Sequence, residues 1–330
     1  VKPRHAREAR AAELISRAIR PLPRSWALAL GRGLGRLLAD LDRRHVAIAV
    51  DNLRHALPHW DESRLYCTAR GVYAHFGAVL VDLLWLEGRT PEQWLALTDV
   101  EGAEHVLAAQ QAGRGILYPT GHFGHWEAHA ICHAWRFAPI GVVARALDNP
   151  ALDARLCALR TRSGSAVIYK QKALANVLRT LREGRGVAIL MDQNVQAGDG
   201  IFVDFFGRKA ATTTVVAALA VKTGCAVVPV RSELTPRGRI RCVYEAPVRW
   251  QPSGDRAADV QRLTQALTWR IEGWIRERPG QWLWIHRRWK TRPADEPPRH
   301  PEGAPPVEGQ SRHPEGAPRA IAPEGSGVTG

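Results

Sequence analysis

The chain has 330 residues, 45% hydrophobic and 24% charged, a balance that supports one sizeable core. Lys and Arg number 46 against 32 Asp and Glu, a formal net charge of +14. The expected partner is therefore anionic: nucleic acid, a phospholipid surface or a phosphorylated substrate. Cys67, Cys132, Cys157, Cys225 and Cys242 are odd in number, widely spaced and without a CxxC pair, which argues against a disulfide framework or structural zinc and for a reducing compartment.

Residues 7–88 read as helical. Segment 24–42 places Trp26, Leu28, Leu30, Leu34, Leu37, Leu38 and Leu41 on a broad apolar face with Arg24, Arg32 and Arg36 among its polar positions. That pattern suits an interfacial helix and a core-packing helix equally. Its Gly31, Gly33 and Gly35 lack the GxGxxG spacing and the preceding strand of a dinucleotide site. A second helix is expected over 61–87, ending at Gly88. No uninterrupted apolar run reaches about 18 residues, so no transmembrane helix is assigned. Residues 1–20 lack the apolar stretch of a signal peptide.

Beyond residue 88 the texture alternates. Apolar runs at 115–120, 139–144, 166–169, 186–191, 226–231 and 240–244 predict buried strands, with helices near 102–112, 126–136, 150–163, 172–183 and 212–224 and a last one over 256–278. Alternation of this kind predicts an α/β fold with a mixed, largely parallel sheet flanked by helices. The expected organisation is an N-terminal helical, membrane-docking portion (1–90), an α/β core (91–293) and a Pro/Gly/Glu-rich tail (294–330), in which RHPEGAP occurs twice. Such a tail buries too little apolar area to order itself.

The chemistry concentrates in 115–135, GILYPTGHFGHWEAHAICHAW. His122 and Glu127 stand five apart, about 140° around one regular helix. They converge only if His122 lies in the turn before the helix and Glu127 in its first turns, a path that Gly121 and Gly124 permit. A His held by a carboxylate is a general base with fixed tautomer and orientation. His122, His125, His129 and His133 also fall near one helix face, but regular spacing separates the outer members too far for one metal ion. No metal or other cofactor is assigned. Arg145 closely follows the strand 139–144, where parallel sheets place ligand contacts, and reads as a contact to substrate phosphate or to the donor. Asp192 likewise follows a strand. Phe205, Phe206 and Thr212 lie after a Gly-Asp-Gly loop and read as core, lid or ligand contacts.

HFGHWE resembles the HFGNWE-type motif of the LpxL/HtrB-like lipid A biosynthesis acyltransferases, within the wider His-x4-Asp/Glu glycerolipid acyltransferases. Further blocks resemble that family in order: Arg145 with Asp148-Asn149-Pro150, Met191-Asp192-Gln193-Asn194, Phe205-Phe206-Gly207 with Ala211-Thr212, and Trp282 through Lys290. The resemblance implies transfer of a fatty acyl chain from a thioester of acyl carrier protein or coenzyme A to a hydroxyl of a lipid A precursor or related anionic glycolipid. It further implies His122 as base oriented by Glu127, and a site completed by Gly124, Arg145, Asp192, Gln193, Phe206 and Thr212. No G-x-S-x-G elbow is present, so direct transfer without an acyl-enzyme is expected. The oxyanion is expected to be cradled by backbone N–H at the helix start near Gly124, helped by Arg145. The implied location is the cytoplasmic face of the bacterial inner membrane, with peripheral or weak anchoring. The stretch 282–290 suits either lipid headgroups or a buried Trp cluster.

Three other readings compete. Related enzymes acylate a phosphatidylinositol mannoside. A lipid hydrolase would use the same base with water as acceptor. A basic nucleic-acid-binding protein suits a pI near 10.3, but no zinc-finger, RRM, KH or homeodomain pattern supports it, and no nucleic-acid partner is assigned.

Overall fold

The computed structural model describes residues 3–169 and 173–294. The expected tail 294–330 thus lies, but for its first residue, outside the described residues. Four helices come first: α1 (Pro3–Ile19), α2 (Arg24–Leu41), α3 (Arg43–Ala56) and α4 (Glu62–Leu86). Their starts are written in the sequence. Asp42 caps α3 by accepting from the His45 N–H at 3.3 Å, and Asp61 caps α4 by accepting from the Arg64 N–H at 2.8 Å, which satisfies N–H groups that a helix cannot.

The remaining elements are α5 (Pro91–Ala96), β1 (Thr98–Glu101), α6 (Ala103–Gln111), β2 (Ile116–Thr120), α7 (Trp126–Arg136), β3 (Ile140–Ala144), α8 (Pro150–Thr161) and β4 (Ala166–Tyr169). They continue with α9 (Ala173–Arg182), β5 (Gly186–Leu190), β6 (Ile201–Phe205), β7 (Arg208–Thr212), α10 (Val215–Thr223), β8 (Ala226–Val227), β9 (Val230–Leu234), β10 (Ile240–Tyr244) and α11 (Arg256–Glu277). A five-stranded sheet of order β4-β3-β5-β2-β8 is parallel throughout. Its central strands are near-continuous apolar runs, as strands covered on both faces must be. A second sheet, β1-β10-β9, has one parallel and one antiparallel pairing. The α/β class and N-terminal helices expected from the sequence are both present.

Three departures have local causes. The apolar run 226–231 is two strands rather than one. Pro229 separates β8, paired with β2, from β9, paired with β10, and proline has no N–H to give a ladder. β1 escapes the pattern because its four residues, TDVE, carry one large apolar side chain. The segment 201–212 is a hairpin, β6–β7, and α10 starts only at Val215. Phe206 and Gly207 form the two-residue turn, both with positive φ, 54° and 73°, as a type I′ connection requires.

Helices α2 and α4 pack unusually closely. The buried side of α2 consists of Ala27, Leu28, Gly31, Gly35 and Ala39. A Cβ on Gly35 would stand 2.1 Å from the Tyr73 carbonyl oxygen, so only glycine allows this approach. Because the small residues face inward, the large ones face out: Trp26, Leu30, Leu34, Leu37, Leu38 and Leu41 are between 42% and 74% exposed. Helix α4 is long and apolar enough to cross a membrane by length and composition, but half of that stretch is buried in the fold. It also carries the fully buried Asp82, paired with Arg24 of α2 at 2.5 Å.

Candidate active site

The register of the parallel sheet builds the centre of the site. β2 and β5 are neighbours, with Thr120 opposite Leu190. Two residues further along each chain, where the strands have ended, stand His122 and Asp192. The His122 Nδ1–H donates to Asp192 Oδ1 at 2.9 Å, and the His122 backbone N–H donates to Asp192 Oδ2 at 2.7 Å. Trp282 Nε1–H donates to the same Oδ2 at 2.7 Å. These three donors fix the carboxylate, and the carboxylate fixes the imidazole with Nε2 left as its free, basic nitrogen.

The turn that carries His122 is clamped from behind. Gly124 N–H donates to the Gln281 carbonyl at 2.8 Å, and Leu283 N–H donates to the His122 carbonyl at 3.2 Å. Gly124 has φ 59°, and a Cβ there would lie 1.7 Å from the Ser232 carbonyl oxygen. Glycine is obligatory at this position for both reasons.

Sequence spacing pairs His122 with Glu127, but the hydrogen bond to the imidazole is made by Asp192. Glu127, in the first turn of α7, lies in a buried two-pronged ion pair with Arg160 of α8. Arg160 Nε donates to Glu127 Oε2 at 2.8 Å, and Trp126 Nε1–H donates to Oε1 at 3.1 Å. Glu127 therefore acts on His122 through space, and Arg160 opposes it. Trp126 presents its ring edge-on to His122, centroids 5.3 Å apart.

Electrostatics follow from this geometry. Burial pushes the His122 pKa down, but the Asp192 charge, its hydrogen bond and the charge of Glu127 outweigh it, and the net shift is upward from 6.5. Burial pushes Asp192 up, yet His122 and the other two donors bring it down to about 2. Asp192 is thus ionised at any pH where the protein works. An imidazole that serves as a base must be neutral, so any activity that uses His122 in this way is expected to rise with pH. The acid limb of its kcat/KM should then lie above 6.5, which a pH–rate profile tests. A limb below that value would show that the Asp192 charge does not act on the base.

The other expected residues divide. Arg145 is exposed just past the C-terminal end of β3, on the same edge of the sheet as His122. Gln193 is exposed beside the buried Asp192. Gly124 shapes the turn, but its N–H is taken by Gln281, so the expected oxyanion cradle does not include that donor. Phe206 and Thr212 belong to the β6–β7 hairpin. The Phe206 N–H donates to Glu272 at 2.7 Å, and the Thr212 hydroxyl accepts from Arg288. Both are tied to the aromatic wall behind Asp192. Of the two readings of 282–290, burial holds: Trp282, Trp284, Arg288 and Trp289 are at most 5% exposed.

The four histidines diverge. His125 Nε2 lies 3.4 Å from Asp82, and His133 bonds the Tyr244 hydroxyl at 2.9 Å. Burial pushes His129 and His133 down to about 3, so both are neutral at pH 7. They line a small cavity under the site with Tyr118, Thr120, Trp126 and Tyr244. Sequence reasoning missed Arg160, Asp82 and the bond from Trp282 to Asp192. Trp282 stands in a block already singled out. Nothing in the sequence marks Arg160, 33 residues from its carboxylate.

Comparison with known proteins identifies relatives along most of the chain. The family model described as bacterial lipid A biosynthesis acyltransferase matches residues 4–291. The chain is 30% identical over 287 residues to a lipid A biosynthesis lauroyltransferase of Escherichia coli (strain K12), covering 84% of this chain and 90% of that one. It is 27% identical over 278 residues to a lipid A biosynthesis palmitoleoyltransferase of the same organism, covering 81% and 86%. It is also 27% identical over 217 residues to a phosphatidylinositol mannoside acyltransferase of Mycolicibacterium smegmatis, covering 63% and 66%.

Proposed function

The chain belongs to the bacterial lipid A biosynthesis acyltransferase family, and from that premise we propose that it transfers a fatty acyl chain from a thioester to a hydroxyl of a lipid A precursor. The observation that carries this reading is a partly exposed imidazole, His122, oriented through Nδ1 by the buried Asp192 at the carboxyl end of a parallel sheet. His122 Nε2 takes the proton of the acceptor hydroxyl as its oxygen attacks the thioester carbonyl carbon. The tetrahedral intermediate collapses by breaking the C–S bond, and the imidazolium returns its proton to the departing thiolate. Asp192 holds the ring and stabilises the imidazolium. Glu127, paired with Arg160, adds negative charge that favours the imidazolium.

The membrane has a matching surface on this chain. The cavity lined by Tyr118, Trp126 and the neutral His129 and His133 is predominantly apolar but, at about 30 Å³, holds no more than a methyl-sized group. The outward stripe of α2, Trp26 through Leu41, supports docking on a bilayer, where each leucine transferred from water gains about 1.5–3 kcal/mol. The net charge of +14 favours an anionic leaflet. Together these favour the cytoplasmic face of the inner membrane as the place of action.

The phosphatidylinositol mannoside relatives keep a second acceptor in view. The test offers lauroyl and myristoyl thioesters of acyl carrier protein and of coenzyme A, each with lipid A precursor and with phosphatidylinositol mannoside, and reads products by mass spectrometry. Acylated lipid A precursor is the expected product. Acylation of the mannoside alone would move the substrate to the second reading, and free fatty acid without transfer would mark a hydrolase.

A further inference from the structure

Away from His122, a cleft of about 430 Å³ opens between α2, α4 and the β9–β10 edge. Four arginines line it, Arg32 and Arg36 from α2 with Arg241 and Arg278, against a single carboxylate, Glu233. Glu233 is 4% exposed and is already shared among Arg231 at 3.3 Å, Arg241 at 3.4 Å and Arg278 at 3.8 Å. Arg241 is also held by Glu101. Arg32 and Arg36 have no carboxylate partner among the described residues. Cationic charge is thus in excess in a concave, partly enclosed space, where a protein gains nothing for its own stability by placing it.

Two neighbours give this cleft its meaning. Arg32 and Arg36 are one turn apart on α2, on the side turned away from the outward stripe of Leu30, Leu34, Leu37 and Leu38; at about 100° per residue Arg36 lies about 100° around the helix from Leu37 and Arg32 about 160° from Leu30. A bilayer taking up that stripe would place its phosphate layer within reach of the long side chain of Arg36, the nearer of the two. On the inner side the lining includes Gln281 and His75. The Gln281 carbonyl accepts from Gly124 N–H at 2.8 Å, and His75 Nε2 lies 3.3 Å from the Gly124 carbonyl. Gly124 is two residues past His122, so the cleft wall is the back of the catalytic turn.

We propose that this cleft is a binding site for the phosphate of an anionic lipid, with Arg32 and Arg36 as its principal ligands and Arg241 and Arg278 completing the cationic wall. The guanidinium fork matches two phosphate oxygens at once, and a phosphomonoester offers the most charge and acceptors for four such forks. The site rests on the membrane-docked acyltransferase reading given above and extends it. The phosphate belongs either to the glycolipid acceptor or to a resident phospholipid.

The test uses the full chain bearing His122→Ala, so that binding is read without turnover. Co-sedimentation is measured with phosphatidylcholine vesicles made equally anionic by phosphatidic acid, phosphatidylglycerol or oleate. Wild-type cleft residues should prefer phosphatidic acid over phosphatidylglycerol, and both over oleate. The double variant Arg32→Gln/Arg36→Gln should weaken phosphatidic acid binding by about tenfold or more. The charge-matched control Arg179→Gln/Arg182→Gln, at exposed positions of α9, should change it little. Equal binding to oleate, or equal losses in the control and the double variant, would overturn the proposal in favour of diffuse charge attraction. In otherwise wild-type protein, a raised KM for a phosphorylated glycolipid acceptor with kcat unchanged assigns the phosphate to the acceptor. An unchanged KM together with the vesicle loss assigns it to a phospholipid. Absence of transfer by the wild type would bear on the proposed function alone, since the vesicle assay does not depend on it.

Discussion

His122→Ala is expected to lower acyl transfer by about 10²–10⁴-fold, the usual contribution of a positioned general base, while the protein stays folded. The ring is 19% exposed and its removal leaves no unpaired charge buried without other partners: Asp192 still accepts from the His122 backbone N–H and from Trp282. A loss in kcat with little change in KM is the signature, because the base acts in the transition state rather than in binding. Near-wild-type turnover would remove His122 from the reaction.

Glu127→Ala is expected to act differently, through stability. Glu127 and Arg160 are 8% and 9% exposed and bonded to each other by two parallel contacts. Removing one member leaves a guanidinium buried without its counter-charge, a change that costs about 3–5 kcal/mol in comparable buried pairs. Urea unfolding should show that loss, and Glu127→Leu/Arg160→Met should recover much of it. An unchanged midpoint in Glu127→Ala would mean that water replaces the carboxylate at no cost. If the double variant regained stability without regaining turnover, the pair would have a role in the reaction beyond holding α7 to α8.

What the sequence makes legible follows from range. The strand–helix alternation and the turn containing His122 are local patterns. The helix start at Trp126 is announced by Gly124 and the switch from period two to period 3.6. His122 stands out because its motif is compact. The partner of its ring does not, since Asp192 is 70 residues away and meets it only through the register of β2 against β5. A five-residue spacing suggests a dyad with Glu127. Helix α7 instead points that carboxylate at Arg160, whose location depends on how α8 returns across the sheet edge. The hairpin β6–β7 was hidden for a related reason: Phe206 adopts a positive φ that its residue type disfavours, so the usual turn signal is half missing. The apolar stripe of α2 was visible, but its direction was not. Only the contacts of Gly31 and Gly35 with α4 decide that the small side packs inward and the leucines face out.

His122 is proposed to work as a base held by Asp192, and Asp192→Asn puts that pairing to the test. The amide keeps the shape of the carboxylate and removes its charge, so the imidazole loses both its fixed orientation and the field that raises its pKa. The measurement is kcat and its pH profile for Asp192→Asn beside the wild type, on protein verified as folded. The expected result is a kcat loss of about 10²–10⁴-fold and an acid limb displaced to lower pH, because burial then acts on His122 with less opposition. Turnover within about twofold of wild type, with the limb unmoved, would contradict it and return the orienting role to Glu127.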